Sequence, residues 1–154
     1  MASIEDYGYQ RDRRPDALVV EAFQRLSASP KHKAILKTFR LASPFRVVFV
    51  EPLNEDHVAR YIDGSASPRR KGIVVVDASA FDELEGWRLE EQIEATLLHE
   101  YGHALFASAL TEEERPEPNK EEIMVESFAR RTLREPAART TVALLRVVAA
   151  LSRH

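Results

Sequence analysis

"LLHEYGHAL", residues 97 to 105, sets two histidines, His99 and His103, four positions apart with Glu100 directly after the first. The chain has only five histidines and no cysteine, so this stretch concentrates scarce ligating side chains at one point. On an α-helix, residues four apart are neighbours on one face, and both imidazoles can be directed at one ion. Glu100 lies about a hundred degrees round the axis, beside that ion rather than among its ligands. The spacing is that of a zinc site carrying its own general base. Zinc activates a water and polarises a carbonyl, while a carboxylate within reach takes the water's proton and passes it to the leaving amine. The same string can also arise by chance in a helix rich in Glu and His, so its surroundings must support it.

They do. From about Leu89 to Leu110 no proline interrupts a helical pattern in which Ile93, Leu97, Leu98, Tyr101, Ala104 and Leu105 share one broad face. His99 and His103 lie on the other side, flanked by Gln92, Thr96, Phe106 and Ala107. A helix apolar on one side and partly apolar on the other is covered on both, and two buried imidazoles need partners. Gly102 costs roughly 1 kcal/mol relative to alanine in a helix interior, which points to close backbone approach there.

Two histidines leave a zinc site short of a third protein ligand. With no cysteine and no other well-placed histidine, the ligand is expected from the next helix, in "EEIMVESFARRTL", residues 121 to 133. Glu122, Glu126, Ala129 and Leu133 fall on one stripe, so two acids head a face that otherwise turns inward. Glu122 comes first and can coordinate zinc; Glu126, one turn later, can accept the other N–H of a ligand histidine and fix its tautomer. Glu121 or the acidic loop before it is the alternative source.

"ATLLHEYGHAL" followed by "EIMVESFARRTL" resembles the gluzincin class of zinc peptidases, with thermolysin as a distant relative. It is more closely similar to the ImmA/IrrE-type metallopeptidases and the small minigluzincins, whose pattern is HExxH, a short loop, then E-x-x-A-[ND]-x-F-A. The resemblance spans residues 72 to 134 at most. It implies that His99, His103 and Glu122 are zinc ligands and Glu100 the base, and that a strand before the active helix, "GIVVVD", serves as the substrate-binding edge. Departures are Val125 where the pattern has Ala, and Glu126 where it has Asn or Asp. Relatives of the ImmA/IrrE type act on transcriptional repressors, which suggests a regulatory protease by analogy.

Elsewhere, "PDALVVEAFQRLSA" places Leu18, Val19, Ala22, Phe23 and Leu26 at helical spacing. "FRVVFV" and "GIVVVD" are β-branched runs, and "ARYID" between them is a candidate third strand. The fold class expected is α+β: a small twisted sheet packed on a zincin active-site helix, followed by a glutamate-bearing helix and a C-terminal helix. Residues 1–14 read as a flexible arm and 15–154 as a single metallopeptidase-like domain, the 154-residue length suiting one core. Tyr61 is a candidate oxyanion donor if its strand passes the site. His32, in "SPKHK", together with His57 and the terminal His154, reads as solvated.

An apolar fraction of 44%, a charged fraction of 31% and a net charge of −3 exclude a chain that attracts polyanions over its whole surface. The polar N-terminus has no apolar secretory region, and "TTVALLRVVAALSRH" is interrupted by Arg146 and too short to span a bilayer, so a cytoplasmic protein with no membrane partner is expected. The expected partner is a peptide or protein substrate held in extended form. Two other classes compete. One is a zinc-binding or regulatory module without turnover; the other is a nucleic-acid-binding protein using the basic last third, Arg130, Arg131, Arg134, Arg139, Arg146 and Arg153. The C-terminal apolar positions Val142, Leu145, Val148, Ala149 and Leu151 either pack behind the glutamate helix or, hinged at Pro136, cover the cleft as a lid.

Overall fold

The computed structural model describes residues 10–11, 17–38, 46–51, 58–62, 73–77 and 79–134. The elements are β1 (Gln10–Arg11), α1 (Ala17–Ser27), α2 (Pro30–Thr38), β2 (Arg46–Glu51), β3 (Ala59–Ile62), β4 (Ile73–Asp77), α3 (Gly86–Ala109) and α4 (Pro118–Arg134). The architecture is α+β. The expected arm contributes β1, which pairs antiparallel with β2. The C-terminal helix, its lid role, His57 and His154 lie outside the described residues.

The sheet has the order β1-β2-β4-β3, with β2 and β4 parallel and β3 antiparallel to β4. Val47 lies opposite Val74 and Phe49 opposite Val76 on β4, whose other neighbour sets Tyr61 against Val74 and Ala59 against Val76. These six side chains share the face that meets the helices. Val74, Val75 and Val76 are all buried. Three consecutive buried β-branched residues mark a strand covered on both faces. The expectation of "GIVVVD" as an edge is therefore corrected: β4 is paired on both sides, and among the described residues the edge beyond it is β3.

Against that face lies α3, whose predicted apolar stripe of Ile93, Leu97, Leu98, Tyr101, Ala104 and Leu105 is buried throughout. Each fully buried large apolar side chain contributes about 1.5–3 kcal/mol relative to exposure, so this stripe fixes the helix on the core. The helix starts earlier than the sequence pattern suggested. Gly86 adopts φ +55, a conformation glycine reaches without a Cβ clash, and Glu85 precedes it in extended backbone. From α1, Val19, Ala22 and Phe23 complete the core, with Phe23 edge-on to Phe49 and Phe81 at 5.5 Å. Leu18, expected on this face, is exposed.

His32 lies in a helix and is itself buried, not in a solvated loop. Ser29 precedes Pro30 at the first turn of α2, and its hydroxyl accepts the His32 N–H at 3.3 Å. His32 then shares the inward face with Ile35 and Leu36. Its Nδ1 lies 3.1 Å from the Tyr101 hydroxyl and its Nε2 3.2 Å from Glu94, which Lys31 also contacts at 3.0 Å. Those partners hold the Glu94 carboxyl below the usual range, although burial alone would raise it.

Candidate metal centre

The helix α4 packs on α3 at Gly102, a position in the middle of α3 that has no side chain. A Cβ on Gly102 would stand 2.8 Å from Cγ1 and 2.9 Å from Cβ of Val125. Gly102 thus answers the close approach expected of it, and the space it leaves is filled by Val125. The buried stripe of α4 is Glu121, Val125, Phe128, Ala129 and Thr132. Glu122 and Glu126 do not turn inward as expected; both are half-exposed and stand one position round, on the border of the cleft.

That border faces the histidines. Glu122 Oε2 lies 3.1 Å from His99 Nε2, and its Oε1 lies 2.8 Å from His103 Nε2. The two Nε2 atoms are 3.2 Å apart. On the far side of each ring, His99 Nδ1 lies 2.9 Å from Glu126 Oε2, and His103 Nδ1 lies 2.9 Å from Glu121 Oε2. The structure therefore brings His99, Glu100, His103, Glu122 and Glu126 together, sets Glu121, the alternative ligand source, behind His103 at its Nδ1, and adds Arg115, which the sequence did not single out. Arg115 donates from Nε and Nη2 to Glu121 at 2.8–2.9 Å. A lone base in an acidic run, and an acid at 121 in register with Val125 and Phe128, were the available signals.

The donor set can be tested for a cation by counting hydrogens. Carboxylates accept, so neutral rings facing Glu126 and Glu121 carry their proton on Nδ1. Both Nε2 lone pairs then point at each other and at the Glu122 carboxylate, and these electron-rich atoms require positive charge between them. Protonating both rings supplies it, at the expense of two like charges with ring centres 4.9 Å apart; one metal ion supplies it without that repulsion. Two imidazoles and a carboxylate match the three-ligand sets of open zinc sites, so the residues fit the metal.

Glu100 sits beside this cluster, 3% exposed. Its carboxylate and the two rings offer ligand atoms within 4.8 Å of one another, a group able to hold a metal ion. Burial pushes its carboxyl up to about 7, with the Glu122 charge adding to the rise, while His99, the Tyr61 main-chain N–H and Arg60 pull it down. Its Oε2 has no hydrogen-bond partner. A buried carboxylate oxygen left without a donor is costly, and in a cleft it marks a group aimed at something that binds.

The cleft encloses about 770 Å³, with α3 as its floor, β3 on one wall and α4 on the other. In the β3–β4 register, Val58 carbonyl accepts from Asp77, so alternate residues Ala59 and Tyr61 turn their main-chain groups away from β4. Tyr61 reaches the site through its N–H to Glu100. No helix among the described residues is long and apolar enough to cross a membrane. No protein-family model, curated protein or solved structure matches the chain, so a functional reading rests on the geometry and the motif pair.

Proposed function

We propose that this chain is a zinc-dependent metallopeptidase of the gluzincin type, with zinc held by His99, His103 and Glu122 and with Glu100 as general base. The observation that carries the reading is the convergence of both histidine Nε2 atoms on the Glu122 carboxylate while each Nδ1 is held by a separate glutamate. When bound, zinc supplies Lewis acidity that activates water and polarises an amide carbonyl. Glu100 Oε2, buried and without a donor of its own, accepts the proton of the attacking water and delivers it to the leaving amine nitrogen. Glu126 accepts the His99 Nδ1 proton and keeps that ring's Nε2 free to ligate. An extended peptide adds to the β3 edge, where the main-chain groups of Ala59 face away from β4, and this places its backbone along the cleft above α3.

One observation favours a second reading. The Glu100 carboxylate also lies within ligand range of the two rings. If Glu100 is the third ligand, no base remains and the chain is a zinc-binding module without turnover. Glu100→Gln separates the two. As a base variant it retains one zinc per chain and loses peptide hydrolysis by at least about 100-fold; as a ligand variant it loses the metal. Wild-type protein loaded with zinc that cleaves no member of a diverse peptide library would overturn the peptidase assignment.

A further inference from the structure

The loop joining α3 to α4, which with the first residue of α4 reads "TEEERPEP" at 111–118, holds one basic residue among four glutamates and two prolines. Its backbone turns tightly, with Glu114 and Arg115 N–H both donating to the Thr111 carbonyl at 3.1 and 3.0 Å. The turn sends the Arg115 side chain back into the cleft wall. There Nε donates to Glu121 Oε1 at 2.9 Å, and Nη2 donates to Oε1 at 2.8 Å and to Oε2 at 2.9 Å. Glu121 is buried, and the Oε2 that Arg115 shares is the same atom that faces His103 Nδ1.

We propose that Arg115 and Glu121 are positioning residues for His103. Arg115 grips both carboxylate oxygens, and Glu121 so fixed holds the imidazole as the Nδ1–H tautomer with its Nε2 lone pair turned to Glu122 and His99. The physical reason is geometric. A carboxylate held by a planar fork has one orientation, whereas one held by a single hydrogen bond to a ring can rotate and release it. His99 shows the difference. Its carboxylate, Glu126, is half-exposed and receives one contact from Arg130, at 3.3 Å, from a side chain that is 80% exposed. Of the two rings, His103 is the one with a rigid support, and the loop that looks like a linker provides it.

The tautomer is a property of the metal-free chain; only its effect on zinc rests on the metallopeptidase reading. The test is nitrogen-15 NMR of histidine-labelled, metal-free protein at mildly alkaline pH, followed by zinc titration against a competing chelator. Wild-type His103 is expected with its proton on Nδ1, and Glu121→Ala shifts it toward the tautomer mixture of a free imidazole. Zinc affinity falls by about 10- to 100-fold in E121A, by a smaller factor in Arg115→Ala, and by no further factor when R115A is added to E121A. Arg115 is partly exposed, so R115A reports on the relay should E121A fail to fold: it broadens or shifts the His103 signals and leaves those of His32 in place. A wild-type His103 without a proton on Nδ1, or an unchanged tautomer in R115A and E121A, overturns the proposal. So does an R115A effect as large in the E121A background as alone. Absence of any zinc binding with the tautomer intact removes the metallopeptidase reading and leaves the relay standing.

Discussion

Two histidine clusters hang from opposite sides of α3, and they are built to different rules. On the core side, both ring nitrogens of His32 end on a partner of matching chemistry, the Tyr101 hydroxyl and the Glu94 carboxylate, and Lys31 balances the acid. The Tyr101 phenol is so well buried that its pKa is pushed far above its usual value. On the cleft side, the outer nitrogens of His99 and His103 are supported, but the inner ones meet each other and a third acceptor. The first cluster is complete as it stands. The second is complete only with added positive charge. Burial of histidine and proximity to glutamate are common to both, so neither property marks function; the balance of donors and acceptors does.

The comparison breaks most readily at the histidines themselves. His103→Ala is expected to lower zinc affinity by more than the about 10- to 100-fold associated with an orienting partner, while His32→Gln leaves it unchanged. In a denaturation experiment the order reverses, since His32→Gln disturbs a buried network and costs about 1–3 kcal/mol. Zinc binding that responds equally to both substitutions would erase the distinction. Next in size, Glu122→Ala should weaken zinc binding far more than Glu126→Ala, measured by chelator competition. Equal and small effects would move the third ligand to Glu100.

A smaller effect follows from the burial of Glu100. Its folded pKa of about 7 lies above the ordinary 4.5, so the folded metal-free chain keeps a proton that the unfolded chain releases in that interval. Stability from this group is fully present below 4.5 and is lost as pH rises through 7. Glu100→Gln should remove that loss and stabilise metal-free protein above pH 7 by on the order of 3 kcal/mol, read as a pH-dependent difference in unfolding midpoint. Identical pH profiles for the two proteins would mean that the carboxylate is not desolvated. The smallest effect tests how the two sides are held together. Gly102→Ala gains about 1 kcal/mol of helix propensity but forces a Cβ against Val125, at about 1–3 kcal/mol for overpacking. The net loss should disappear in the G102A/V125A double variant, and persistence there would place the strain elsewhere.

Periodicity exposed the long helix because Ile93 to Leu105 repeat an apolar stripe over several turns, and it exposed the strands because β-branched residues cluster between turn formers. Helical spacing likewise assigns His99, His103, Glu122 and Glu126 to one place. What stayed hidden depends on tertiary arrangement. The polar "SPKHK" start of α2 conceals a buried histidine, since Ile35 and Leu36 set the inward face only after the helix is known. The rotation of α4 by one position, which buries Glu121 and leaves Glu122 on the border, is set by Val125 seating over Gly102. Which valine run forms the sheet edge is a question of strand order, and strand order has no local signature. Arg115 acts across a loop, so helical spacing could not assign it.

On the proposed reading, the inner face of the His99–His103–Glu122 cluster holds one metal ion. Zinc titration of metal-free wild-type protein, with stoichiometry confirmed by elemental analysis after dialysis, measures it directly. One zinc retained per chain, and none retained in the His99→Ala/His103→Ala double variant, is the result this account predicts; a folded wild-type chain that retains no zinc, or one that retains it equally in the double variant, would contradict it.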